Sequence, residues 1–172
     1  MGKTFDVGSL VVYGTNGLCK IEDIEMKSFA AGMPENPYYV LKPDSINSSK
    51  VYVPMNNEKL VAKMRRVMTK AEIDSMLDET KDQVMEWNNE RRFRNEAFNE
   101  ILSRGVSKDL VLMIKCINTR KKKLALEGKK LPTTDNNMLK QAEKLANEEF
   151  SYVLEISTSD VADYVKKIMS AE

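Results

Sequence analysis

Apolar and polar residues follow two different rhythms along this chain, and the change falls near residue 69. Before it, short apolar runs at 10–13, 18–24, 38–41 and 50–53 are separated by turn material. Tyr39/Leu41 and Val51/Val53 show the period-two alternation of strands half buried on one face. Gly14-Thr15-Asn16-Gly17 joins the first two runs. Asn and Gly tolerate the positive φ that tight hairpin turns need, so an antiparallel pair is predicted there. Gly32, Pro34, Pro37, Pro43 and the polar stretch 44–49 supply the other connections. Four or five short strands in so few residues predict a small, strongly bent sheet or barrel. Such a module has little core of its own and tends to act as an interaction platform.

Beyond residue 69 the apolar positions recur at helical spacing. Thr69-Lys70-Ala71-Glu72 is a capping-box sequence opening a short helix with Ile73, Met76 and Leu77 on one face. A second helix is predicted over roughly 85–104, stopping at Gly105, with Phe93, Ala97, Phe98, Ile101 and Leu102 as its apolar stripe. Ser107 caps a third, with Leu110, Val111, Ile114 and Ile117 as core candidates and an end near Gly128. Thr134 or Asp135 starts a fourth, whose stripe is Met138, Leu139, Ala142, Leu145, Ala146 and Phe150. Val161, Val165 and Ile168 mark a last short helix. Links of about 3–8 residues favour antiparallel packing. The predicted fold class is α+β: a small antiparallel β domain over 1–68 followed by an all-α helical domain over 69–172.

Charge changes this picture in one place. The 172 residues carry a formal net charge of only +1. Residues 104–131, however, hold nine basic side chains against two acidic ones, a local net of +7. They include Arg104, Lys108, Lys115, Arg120, Lys129 and Lys130. Such a segment is either a solvated helix face or a phosphate-contacting patch, since neutralising phosphates supplies most nucleic-acid affinity. Composition also removes chemistry. With no histidine there is no His-based triad, Cys–His pair or imidazole metal ligand. Cys19 and Cys116 are isolated in unlike segments and read as separate thiols. No run approaches the roughly 20 apolar residues of a membrane span, and no signal-peptide core is present. We therefore expect a cytoplasmic, non-enzymatic protein with no cofactor, no metal and no membrane partner.

Trp87 is the only tryptophan, set among Glu86, Asn88, Asn89 and Glu90 and followed by Arg91, Arg92 and Arg94. On a helix continued back from Phe93 it would point towards the apolar side, as a packing tryptophan. The other reading is an exposed aromatic flanked by guanidiniums. Such a wedge can unstack a base step while the arginines hold adjacent phosphates.

The opening Phe5-x-Val7-Gly8-x-x-Val11-Val12-Tyr13-x-x-x-Gly17, followed by Ile21-x-x-Ile24-Glu25, resembles the RNA-polymerase-interacting domain of the CarD/CdnL family of bacterial transcription regulators, shared with transcription–repair coupling factor. The resemblance continues through 38–42 and Val51-Tyr52-Val53-Pro54-Met55-Asn56-Asn57. It resumes at Trp87, Arg91-Arg92-Phe93-Arg94, Glu100-Ile101-Leu102, Leu131-Pro132-Thr133-Thr134 and Met138-Leu139, covering roughly residues 4–156.

That resemblance implies a Tudor-like N-terminal domain bound to the polymerase β subunit through Lys27, Tyr52 and Pro54. It further implies a helical domain that places Trp87 in the minor groove at the upstream edge of the transcription bubble. There Arg91, Arg92, Arg94, Arg120, Lys129 and Lys130 would hold promoter DNA largely independently of sequence. Lys27 and Tyr52 stand where many members carry arginine, so pairwise polymerase contacts should differ. The implied protein is a monomer that stabilises the open promoter complex. A sequence-independent DNA-binding protein acting without polymerase, and a pure protein adaptor with Trp87 buried in packing, remain alternatives.

Overall fold

In the computed structural model, which describes residues 2–170, the strands come first. β1 (Leu10–Tyr13) and β2 (Leu18–Lys27) pair antiparallel with Val11 opposite Cys19. Gly14–Asn16 make one 3-10 turn between them, and the positive φ values fall on Gly14 and Gly17 rather than on Asn16. The hairpin is as predicted, but glycine alone carries its conformational demand. β3 (Asn36–Pro43) pairs with β2 across a bulge between Ile21 and Asp23, and β4 (Val51–Pro54) pairs with β3. A one-turn helix, α1 (Glu58–Val61), then leads into β5 (Met64–Arg66), which returns to β1. The order β4-β3-β2-β1-β5 leaves β4 and β5 at the edges.

Val11, Cys19, Ile21, Tyr39, Leu41, Val53 and Met64 form the core of this module. The half-buried pattern assumed for β3 is incomplete, because Val40 between Tyr39 and Leu41 is also fully buried. Neighbouring residues of a strand point to opposite faces, so the central strands are covered on both sides.

The chain divides between Val67 and Met68. The second unit is helical: α2 (Lys70–Thr80), α3 (Arg91–Arg104), α4 (Ser107–Leu126), α5 (Thr133–Leu154) and α6 (Val161–Ser170). The capping box at α2 is formed on both sides. Thr69 Oγ1 accepts from Glu72 N at 3.2 Å, and Thr69 N donates to the Glu72 carboxylate at 2.8 Å. α4 and α5 carry apolar residues on more than one face and so support two clusters. Phe98, Leu102, Leu110, Ile117, Met138 and Leu139 belong to one, and Ile73, Leu77, Val111, Ala146, Phe150 and Val161 to the other. All six residues of the predicted α5 stripe are buried.

Three local predictions are corrected. The second long helix begins at Arg91, not near 85, and residues 83–90 have no helical structure. Its phase is also rotated: Arg94, Phe98 and Leu102 are buried, whereas Phe93 and Ala97 are exposed. Arg94 is buried against an acidic partner, Asp135, while Phe93 faces outward. Ser107 is the first residue of α4 rather than its cap, and its hydroxyl donates to the buried Glu149 carboxylate at 2.9 Å. The same carboxylate accepts the Met68 N–H at 3.0 Å.

Candidate functional site

At the β4 edge of the sheet, the three residues expected to meet polymerase stand close together. Lys27 ends β2, and its Nζ donates to the Tyr52 hydroxyl at 3.1 Å while lying 4.3 Å from the centre of that ring. A salt bridge to Glu25 at 3.0 Å completes its surroundings. Together these partners favour the protonated amine and push its pKa up, the Tyr52 hydrogen bond contributing most. Pro54 closes the β4 edge opposite Tyr38. Proline at a sheet edge forfeits no ladder donor that the sheet needs.

Sequence reasoning missed the residue that joins this set. Phe29, in the β2–β3 connection, is 62% exposed and sits edge-on to Tyr38 at 5.0 Å and to Tyr52 at 5.5 Å. An aromatic placed in a loop between Lys27 and Gly32, outside any apolar period, was the available signal. An exposed aromatic ring set against two tyrosines beside a lysine has the composition of an interface hot spot.

The helical unit gathers a second set around Trp87, which lies in the non-helical lead-in to α3. Its ring is half-buried and packs edge-on to Phe98 at 6.2 Å. Two guanidiniums lie over it, with Arg94 Cζ at 4.3 Å and Arg120 Cζ at 5.6 Å from the ring centre. Trp87 and Arg120 border two hollows. One, of about 370 Å³, also involves Lys123. The other, of about 490 Å³, is bounded by Lys129, Lys130 and Pro132 as well. Trp87, Arg94, Arg120, Lys129 and Lys130 are therefore brought together from α3, α4, the α4–α5 connection and the lead-in.

These cations are not equivalent. Arg94 faces inward, only 6% exposed, and its Nε and Nη2 donate to the two carboxylate oxygens of Asp135 at 2.8 and 2.9 Å. Its Nη1 donates to Asn88 O at 2.8 Å. The expectation of Arg94 as a surface cation for phosphates is therefore corrected: its donors are consumed inside the unit by Asp135, a residue sequence reasoning took only as a helix start. Arg91 and Arg92 are exposed but do not border the hollows. Arg91 donates to Thr134 Oγ1 at 3.2 Å, and Arg92 pairs with Glu96 at 3.1 Å.

Arg120 is the opposite case. Its Nε is buried and has no hydrogen-bond partner among the described residues. Lys123 and Lys130 lie exposed beside it, and Lys129 makes only a 3.2 Å surface contact to Glu127. Much of the +7 segment is thus distributed: Lys115 is spent on backbone carbonyls of Thr80, Lys81 and Gln83, and Arg104 and Lys108 face Glu100 and Glu79. Of the rest, Arg120, Lys123, Lys129 and Lys130 border the Trp87 hollows, whereas Lys122 lines a different one against α6. Open lysines beside a guanidinium that borders both hollows suit a ligand with anionic oxygens.

The cysteines lie apart, Cys19 in the sheet core and Cys116 in the helical core; burial pushes the Cys116 thiol up. Among the described residues no helix is long and apolar enough to cross a membrane.

The first unit is thus a small antiparallel sheet with a cluster of aromatic rings and a lysine at one edge. Residues 5–68, nearly the whole of the first unit, match the family model of the CarD-like/TRCF RID domain. A match to a CarD-like RNA-polymerase-interacting domain supports a transcription-related role. A comparison with curated proteins finds no match.

Proposed function

We propose that this chain is a non-enzymatic transcription regulator that docks on the RNA polymerase β subunit and stabilises the open promoter complex. The β module would engage the β subunit at the β4 edge, where Lys27, Phe29, Tyr52 and Pro54 meet, adding main-chain pairing to an aromatic hot spot. The helical unit would present Trp87 and the Arg120, Lys129 and Lys130 groove to DNA at the upstream edge of the bubble. The observation that carries the DNA half of this reading is the groove in which the Arg120 guanidinium lies over the Trp87 ring beside Lys129 and Lys130.

Recruitment and DNA contact have separate tasks here. Tethering through the β module raises the effective concentration of the helical unit at the promoter, so its own DNA affinity can be weak. Only contacts made better in the open than in the closed complex shift that equilibrium. Each 1.4 kcal/mol of such difference changes the equilibrium about tenfold. A ring edge held beside cations fits this need, because a base step already opening costs least to unstack.

The packing of Trp87 on Phe98 favours one second reading, a protein adaptor whose basic groove meets an acidic partner. The deciding experiment measures open-complex lifetime on a supercoiled promoter with intact chain, Trp87→Ala and Lys27→Glu. The proposal expects the intact chain to lengthen the lifetime and both variants to lose that effect, Lys27→Glu through lost polymerase binding. A chain that binds polymerase yet leaves the lifetime unchanged supports the adaptor instead.

A further inference from the structure

The segment 83–90 is a strap without regular structure, yet it carries the ring that the proposed function depends on. It is tied at two places. At its start, Lys115 Nζ from α4 donates to Gln83 O at 2.9 Å. At its end, Arg94 Nη1 from α3 donates to Asn88 O at 2.8 Å, with Asn89 O at 3.4 Å. Between them Trp87 rests on Phe98.

Arg94 does more than tie the end of the strap. One planar group makes a two-pronged bond to Asp135, holds the carbonyls after Trp87, and stacks its carbon 4.3 Å from the indole centre. Asp135 lies in the first turn of α5 and is 1% exposed, so the guanidinium cannot swing without stranding a buried carboxylate. A bidentate pair fixes orientation as well as distance, which a lysine could not do. An apolar pair would fill the same space with comparable stability, since buried ion pairs seldom gain over hydrophobic replacements. What an apolar pair could not supply is the cation over the ring or the donor to Asn88 O.

We infer that Arg94 and Asp135 are positioning residues for Trp87: the buried pair sets the angle and depth of the indole in the basic groove, and neither residue contacts nucleic acid. This rests on the proposed role of Trp87. It assigns Arg94 a task different from that of Arg120, although both lie over the same ring.

The test uses the full chain carrying Arg94→Met together with Asp135→Leu, which removes the charges as a pair and leaves Arg91, Arg92, Arg120, Lys129 and Lys130 in place. Two readouts are taken. Without any partner, near-UV circular dichroism of the single tryptophan and iodide quenching of its fluorescence report how firmly the ring is held. The inference expects the tryptophan band to collapse and quenching to rise about twofold or more, with far-UV helicity unchanged. An unchanged band and unchanged quenching overturn it, as a pair that only stabilises the fold would give that result.

With polymerase, open-complex lifetime is compared among the intact chain, Trp87→Ala, the paired variant and the triple variant. The paired variant should fall to within about twofold of Trp87→Ala, and adding it to Trp87→Ala should change nothing further. If Trp87→Ala shortens the lifetime and the paired variant does not, the positioning role is overturned while the proposed function stands. If Trp87→Ala itself has no effect, the proposed function fails, and the spectroscopic result alone decides the positioning.

Discussion

Removing only the acidic half of the Arg94–Asp135 pair should destabilise the helical unit severely. In Asp135→Ala the guanidinium keeps its place, 6% exposed, but loses both carboxylate bonds of 2.8 and 2.9 Å. Its bond to Asn88 O remains and does not neutralise the charge. Breaking a buried pair by removing one partner costs about 3–5 kcal/mol, because an uncompensated charge is left in a low-dielectric site. A domain of this size has about 5–15 kcal/mol in total. With a urea slope of about 1–3 kcal/mol per molar, the midpoint should fall by about 2 M. Arg94→Met alone should cost a similar amount by stranding Asp135. The two losses cannot add, since the second substitution removes the charge that the first left unpaired. Arg94→Met with Asp135→Leu should therefore unfold within about 1 kcal/mol of the intact chain. Equilibrium urea unfolding followed by Trp87 fluorescence suits the question, because the only tryptophan lies in this unit. Circular dichroism at 222 nm checks that both probes give one transition. Additive single losses, or an Asp135→Ala cost below about 1 kcal/mol, would refute the burial argument and return Arg94 to the surface.

Other expectations follow from the same geometry. Phe29→Ala should change stability by less than about 0.5 kcal/mol, because the ring is mostly exposed, yet weaken binding to polymerase β-subunit fragments by about 1–3 kcal/mol in titration calorimetry. Arg120→Ala combined with Lys129→Ala and Lys130→Ala should flatten the salt dependence of DNA binding by the whole chain by about 2–3 in slope, read from fluorescence anisotropy across salt concentrations. Glu149→Ala should cost about 2–5 kcal/mol, since it strips acceptors from the Met68 N–H and the Ser107 hydroxyl; a urea midpoint unchanged from the intact chain would contradict this. Tyr164, whose hydroxyl donates to Asp74 at 2.5 Å, has its pKa pushed up to about 12, by burial first and by the Asp74 carboxylate after it. Its contribution is whole below the ordinary value of 10.0 and is lost as pH rises towards 12. Alkaline unfolding of Tyr164→Phe should therefore lack that part of the pH dependence.

Elements are legible in the amino-acid order wherever one local rule acts unopposed. Short apolar runs bounded by turn residues marked β1 to β4, the Thr69–Glu72 box placed α2, and the six-residue apolar stripe of α5 was buried whole. The motif at 5–21 was specific enough to point to the polymerase-interacting domain that the family match then showed. β5 escaped notice because three residues are too few to display a period, and its existence depends on β1 offering an edge.

Tertiary structure decided the rest, and it did so where long-range electrostatics or packing outweighed local preference. Nothing near Arg94 in sequence indicates Asp135, 41 residues away, yet their pairing rotates α3 so that an arginine is buried and Phe93 is exposed. That rotation takes Arg94 off the surface. The start of the helix at Arg91 leaves Trp87 on a strap instead of a helical face. Phe29 likewise gains meaning only when the β2–β3 connection brings it to Tyr38 and Tyr52. Periodicity reports how each segment meets water; which charged groups are buried together depends on contacts between segments, and those are settled only once the chain has packed.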